Sequence, residues 1–163
     1  MMTQIKLKRV LCPTDFSTNF LHALTHACGF CEQFQADLHI LHVLQDLAYP
    51  ALAEPSAVYG LLPDFNERIR ASAELALSKL PAPSSIGNAE VCRVLRRGSP
   101  FAEILAYARE QDIDLIVSGT EGRTGMRHAL LGSVAEKIVR LASCPVLTVR
   151  PPDSGQIPDA PME

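Results

Sequence analysis

The residues of this chain best suited to chemistry are Gly119, Gly122, Gly132 and Ser133, spaced Gly-x2-Gly-x9-Gly-Ser within GTEGRTGMRHALLGS. They come after a short apolar run, Leu115 to Val117, that reads as a strand buried on both faces. Beyond them Val134, Ala135, Ile138, Val139 and Ala142 recur at helical spacing, so a helix is expected to start near Gly132 and Ser133. A strand, a glycine-rich loop and a helix N-terminus together make an anion site. The first-turn amides, here those of Ser133 and Val134, have no acceptor inside the helix. The helix dipole is positive there, and glycines let an anion approach the backbone.

Other residues near this loop have two readings each. Ser133-Val134-Ala135-Glu136 matches a capping box, and a hydroxyl capping the helix cannot fully serve a phosphate as well. Arg123 and Arg127 are either solvated loop charges or bidentate phosphate ligands. Glu121 works against an anion: at ~4 Å the repulsion is roughly 1 kcal/mol in water and a few times that when partly buried. It can point outward, pair with an arginine or help hold a metal ion.

Elsewhere the chemical signals are weak. Cys28-Gly29-Phe30-Cys31 matches C-x-x-C but falls inside a helix, where small buried residues are the simpler reading. His22 and His26 are four apart with no third ligand in view, so surface or interface roles are expected. His39 and His42 have opposite parity on one strand and must face different sides. There is no G-x-x-x-x-G-K-[ST] loop and no G-x-S-x-G elbow.

The elements that must position these residues alternate. Lys8 to Cys12 reads as a first strand, and Pro13-Thr14-Asp15-Phe16-Ser17 as its exit loop, with Asp15 or Ser17 free to cap the next helix. That helix runs to about Gln35 on an inner stripe of Phe20, Leu21, Leu24, Ala27, Cys28 and Cys31. Leu38 to Leu44 is a second strand, and residues 45–63 a long connection with three prolines. Asp64 is placed to cap a helix reaching Leu80, stopped by Pro81-Ala82-Pro83. Ala89 to Leu95 is a third strand. Ser99 and Pro100 begin another helix as N-cap and first helical residue. The last helix leads into Pro145 to Arg150.

This order implies an α/β fold: a single domain over residues 1–150 with an open, twisted, mostly parallel five-stranded sheet and helices on both faces. Ligands of such sheets sit beyond the carboxyl ends of the strands, near a switch in strand order. Residues 151–163, with four prolines and little apolar mass, read as a disordered tail. A net charge of −3 and a pI near 5.9 argue against a nucleic-acid surface. No apolar run approaches the ~18 residues of a membrane span, so no membrane role is expected. Five cysteines with no secretory signal suggest reduced thiols in a cytoplasm.

The glycine motif resembles the ATP-binding signature of the universal stress protein family. KRVLCPTDFS, LHILHV and SVAEKIVRLASCPVLTVR match that family's flanking landmarks in order, from about residue 5 to 150. The resemblance implies a Rossmann-like, adenine nucleotide alpha hydrolase-like domain that binds ATP, with Mg²⁺ or Mn²⁺ as an accompanying ion. It implies that Asp15, after Pro13 and Thr14, meets the ribose and that the backbone of Val43 reads adenine. Gly119, Gly122, Arg123, Gly132, Ser133 and Val134 would surround the phosphates, and Ser118, where the family often has an apolar residue before the first glycine, would lie in the same site. Arg123 is favoured because the family often has a basic residue after the second glycine. Glu121 departs from the family's usual non-acidic residue. The family also pairs its last strand, here Val146 to Arg150, across a two-fold axis. The expected role is a stress-response regulator acting as a homodimer. The alternatives are a slow ATPase or phosphotransferase, and a structural dimer whose pocket Glu121 has disabled.

Overall fold

The computed structural model describes residues 5–45, 62–81, 86, 89–120 and 131–150. Its strands are β1 (Arg9–Thr14), β2 (Asp37–Leu44), β3 (Val91–Arg97), β4 (Leu115–Gly119) and β5 (Val146–Val149). Its helices are α1 (Thr18–Phe34), α2 (Leu62–Ser78), α3 (Pro100–Glu110) and α4 (Ser133–Leu141). The strands form one sheet in the order β3-β2-β1-β4-β5, and every pairing is parallel.

Strand alternation sends side chains into two cores. Val10, Cys12, Leu38, Ile40, Leu115 and Val117 pack with α1 and with Leu77 of α2. Leu11, Leu41, Val43 and Ile116 pack with Ile104, Tyr107 and Ala108 of α3 and Ile138 of α4. Both faces are therefore covered, as a parallel sheet requires. Among the described residues no helix is long and apolar enough to cross a membrane.

Several boundaries differ from the sequence expectation, each for a local reason. β1 continues through Pro13 and Thr14, which pair with Leu41 and His42, so these two residues belong to the strand rather than its exit loop. The inner stripe of α1 is Phe20, Ala23, Leu24, Ala27, Cys28 and Cys31. Leu21 stands about one residue's rotation off that stripe and is exposed. Asp64 lies inside α2, which begins at Leu62, and so does not cap it. β3 is shifted to Val91–Arg97 because its ladder with β2 runs unbroken from Leu38↔Val91 to Leu44↔Arg97, and an edge strand tolerates arginines. Ser99 is the N-cap of α3 with Pro100 behind it, but its hydroxyl makes no cap bond.

The histidines of β2 separate by parity. His39 is buried on the α3 side, with Nδ1 2.7 Å from the Tyr107 hydroxyl. That hydroxyl also lies 3.7 Å from the Cys92 sulfur, and the Arg96 guanidinium stands 4.8 Å over the Tyr107 ring. Burial, aided by the positive charge of Arg9, lowers the pKa of His39, while Asp37 opposes the shift. Cys28 and Cys31 are buried, and burial pushes the Cys31 thiol up to about 12, which suits packing rather than redox chemistry.

The His39 shift sets a pH dependence. A histidine starts to gain a proton in the unfolded chain near pH ~6.5, while the folded form still resists it. In that window the unfolded state binds more protons, so stability falls as pH drops below ~6.5. The urea midpoint should therefore decrease from pH 7.5 to 5.5, and His39→Gln should flatten part of that slope. An unchanged slope in the variant would remove His39 as its source.

Candidate functional site

All five strands present their carboxyl ends along one edge. From β1 the chain steps outward to β2 and β3, then crosses back to β4 on the other side of β1. The chain leaves β1 for α1, on one face, and leaves β4 for α4, on the other. The segments diverge at the point where strand order reverses, which leaves a crevice between the ends of β1 and β4.

The β1 side of this crevice is held by a chain of short bonds. The Phe16 N–H donates to Thr14 Oγ1 at 2.9 Å, and the Ser17 N–H donates to Asp15 Oδ1 at 2.9 Å. Ser17 Oγ accepts from the Phe20 N–H and caps α1. Phe16 has φ +62°, a left-handed conformation uncommon for a bulky residue. Its ring lies 4.3 Å from the His42 imidazole. His42 Nδ1 is 2.7 Å from the Thr14 carbonyl. A carbonyl can only accept, so Nδ1 carries the proton and donates, which fixes the tautomer of the neutral ring. Asp15 is thus placed by its neighbours, and one of its oxygens serves the backbone. Val43 lies near the end of β2 with its side chain in the core, as its apolar character implies.

The β4 side is built from backbone ladder bonds. Gly119 pairs with Val149, and the Thr120 N–H donates to the Val149 carbonyl at 3.0 Å, one residue past the strand. The Thr120 carbonyl in turn accepts from the Gly132 N–H at 2.7 Å. That bond ties the residue after the first glycine to the residue before α4. Ser118 is buried, and its hydroxyl donates to the Gly119 carbonyl at 3.2 Å.

The capping box does not form. Gly132 is the N-cap of α4, with φ −66° and ψ 156°, and among the described residues no side chain caps this helix. Its carbonyl accepts from the Glu136 N–H at 2.9 Å, which makes Ser133 the first helical residue. One position late for a cap, Ser133 is exposed, and Glu136 bonds Arg140 at 3.2 Å instead. The competing role is gone, and the amides of Ser133 and Val134 stand in the first turn, where a helix supplies no acceptor. Gly122 and Arg123, with Glu121 and Arg127, lie outside the described residues.

Two features of this edge were not singled out from sequence. The latch of His42 on Thr14 had no signal beyond strand register. Thr120 sits beside the first glycine, where the sequence alone does not set its hydroxyl apart from that of any loop threonine. It is 5% exposed, and its Oγ1 is buried with no hydrogen-bond partner among the described residues. An unsatisfied hydroxyl next to a helix N-terminus suits an anionic group.

The family model described as the universal stress protein family matches residues 6–150. The chain belongs to that family. Universal stress protein MJ0531 of Methanocaldococcus jannaschii is 32% identical over 145 residues, covering 89% of this chain and 83% of that one. The solved structure of the hypothetical protein MJ0577, from the same archaeon, shares the fold with a TM-score of 0.77. It is 26% identical and covers 90% of this chain and 98% of its own. A universal stress protein in complex with cAMP shows the same fold at a TM-score of 0.56 and 24% identity, covering 89% and 98%. As in other members of its fold, the sheet of this universal stress protein is open, with its helices split between the two faces.

Substitution at Asp15 should separate its scaffold bond from any ligand contact. Asp15→Asn keeps an oxygen for the Ser17 N–H and should leave stability within about 0.5 kcal/mol, whereas Asp15→Ala should cost about 1 kcal/mol. Chemical denaturation checks this. Equal losses in both variants would mean that the negative charge, not the acceptor, holds the loop.

Proposed function

We propose that this universal stress protein is a stress-response regulator that binds ATP at the crevice between β1 and β4. The observation that carries the reading is convergence at one sheet edge: Asp15 after β1, Gly119 at the end of β4 and the amides of Ser133 and Val134 opening α4. In this arrangement Asp15 accepts from ribose hydroxyls and the Val43 backbone reads adenine. Gly119, Gly122, Arg123, Gly132, Ser133 and Val134 surround the phosphates, with Pro13, Thr14 and Ser118 in the crevice wall. The shared fold of the cAMP complex supports an adenine nucleotide as something this architecture can carry. Mg²⁺ or Mn²⁺ would accompany the nucleotide, bound to its phosphates. Five free cysteines suit a cytoplasmic setting.

The reading extends to a homodimer paired along β5. Val146 to Val149 end the sheet as an edge strand of apolar composition, and such an edge invites a partner.

Two measurements test these parts separately. Titration calorimetry should find ATP binding to the intact protein and at least a tenfold loss, ~1.4 kcal/mol, in Gly122→Val, whose side chain blocks close backbone approach. Unchanged affinity in a folded variant would overturn the loop assignment. For the dimer, Leu147→Pro deletes a ladder donor and should give monomer or insoluble protein by light scattering. A well-folded, unaltered dimer would place the contact elsewhere.

A further inference from the structure

At this edge Thr120 Oγ1 is buried and has no hydrogen-bond partner among the described residues. The ladder bond from the Thr120 N–H to Val149 continues the β4–β5 pairing by one residue, so Thr120 keeps the alternation of the strand. Its side chain then falls on the face of Ile116 and Ser118, the face that α4 covers through Ile138. Its carbonyl is bonded at 2.7 Å to the N-cap amide of that same helix. Thr120 is thus a near neighbour of the α4 N-terminus, by backbone bond and by parity. Ser118, two residues earlier on that face, spends its hydroxyl on the Gly119 carbonyl. Thr120 Oγ1 has no partner among the described residues.

A buried hydroxyl without a partner lowers the stability of the fold that holds it. Valine would fill the same volume without that cost. The hydroxyl is satisfied only in a state where an acceptor reaches it. The acceptor favoured at a helix N-terminus is an anionic oxygen, because the dipole and the first-turn amides already select for negative charge.

We infer that Thr120 is a ligand-contacting residue whose hydroxyl donates to a phosphate oxygen of the bound nucleotide. The inference rests on the nucleotide reading above and adds to it a donor that reports on the phosphates and not on the nucleoside. It also predicts opposed effects on the free and bound protein, since the hydroxyl is a liability without ligand and a contact with it.

The test compares Thr120→Val, which keeps shape and removes the hydroxyl, with Thr120→Ser, which keeps the hydroxyl. Thermal unfolding without ligand and calorimetric titration with ATP and with adenosine are measured for each. Thr120→Val should raise the ligand-free midpoint by about 3 °C and weaken ATP about tenfold, with adenosine unchanged. Thr120→Ser should retain ATP affinity. A lowered midpoint in Thr120→Val would show that the hydroxyl has a structural partner and overturn the inference. Wild-type ATP affinity in Thr120→Val would overturn it while leaving the nucleotide reading intact, and so would an equal loss for adenosine. Absence of ATP and adenosine binding in the wild-type protein would defeat the nucleotide reading itself, and this inference with it.

Discussion

Val10, Leu11 and Cys12 of β1 are fully buried, and they alternate between the two faces of the sheet. A strand this apolar on both sides must lie inside a sheet covered above and below, and parallel neighbours with helical crossovers are the arrangement that does so. With β1 central, the chain has to pass outward on one side and return on the other. The reversal of strand order beside β1 is the result, and so is the crevice at its carboxyl end. The location of the candidate site is in that sense a by-product of hydrophobic burial. Its chemistry then depends on which residues stand at the two strand exits.

Those two exits are secured by different means. On the β1 side, side chains bind nearby backbone: Thr14 to Phe16, Asp15 to Ser17, Ser17 to Phe20 and His42 back to Thr14. The left-handed Phe16 is the local cost of that compact turn. On the β4 side the holding bonds are main chain to main chain, from Thr120 to Val149 and from Gly132 to Thr120. The first kind depends on residue identity and the second hardly at all. The span from Thr120 to Gly132 is therefore fastened at its ends by bonds that tolerate almost any sequence between them.

Sequence patterns carried the element order well, because strands buried on both faces and amphipathic helices differ in period. Parity alone separated His39 from His42, and the buried reading of Cys28 and Cys31 needed only their place in the α1 stripe. Element ends were less legible. The capping box at Ser133 matched the pattern, yet the helix began one residue earlier, with Gly132 as the cap. A cap is decided by where the chain arrives, and here the bond from Gly132 to Thr120 sets the arrival. Pro13 and Thr14 looked like a loop, but pairing with β2 on an interior strand drew them into the ladder. The orphaned Thr120 hydroxyl could not be read at all from sequence, since being unpartnered is a property of three-dimensional surroundings.

The two rims of the sheet are unlike. β3 carries Arg93, Arg96 and Arg97, which engage the Leu80 carbonyl, Glu103 and Glu110, and Asn66 respectively. Charged side chains fastened across a rim obstruct any strand arriving there. Among the described residues β5 carries no charged side chain of its own, and Arg150 stands just beyond its end. Among the described residues the sheet is thus more permissive to strand addition at β5 than at β3. A second copy joining at β5 would use up the permissive rim of both molecules and offer only guarded rims outward. Such pairing would favour halting at two chains over growth into a filament.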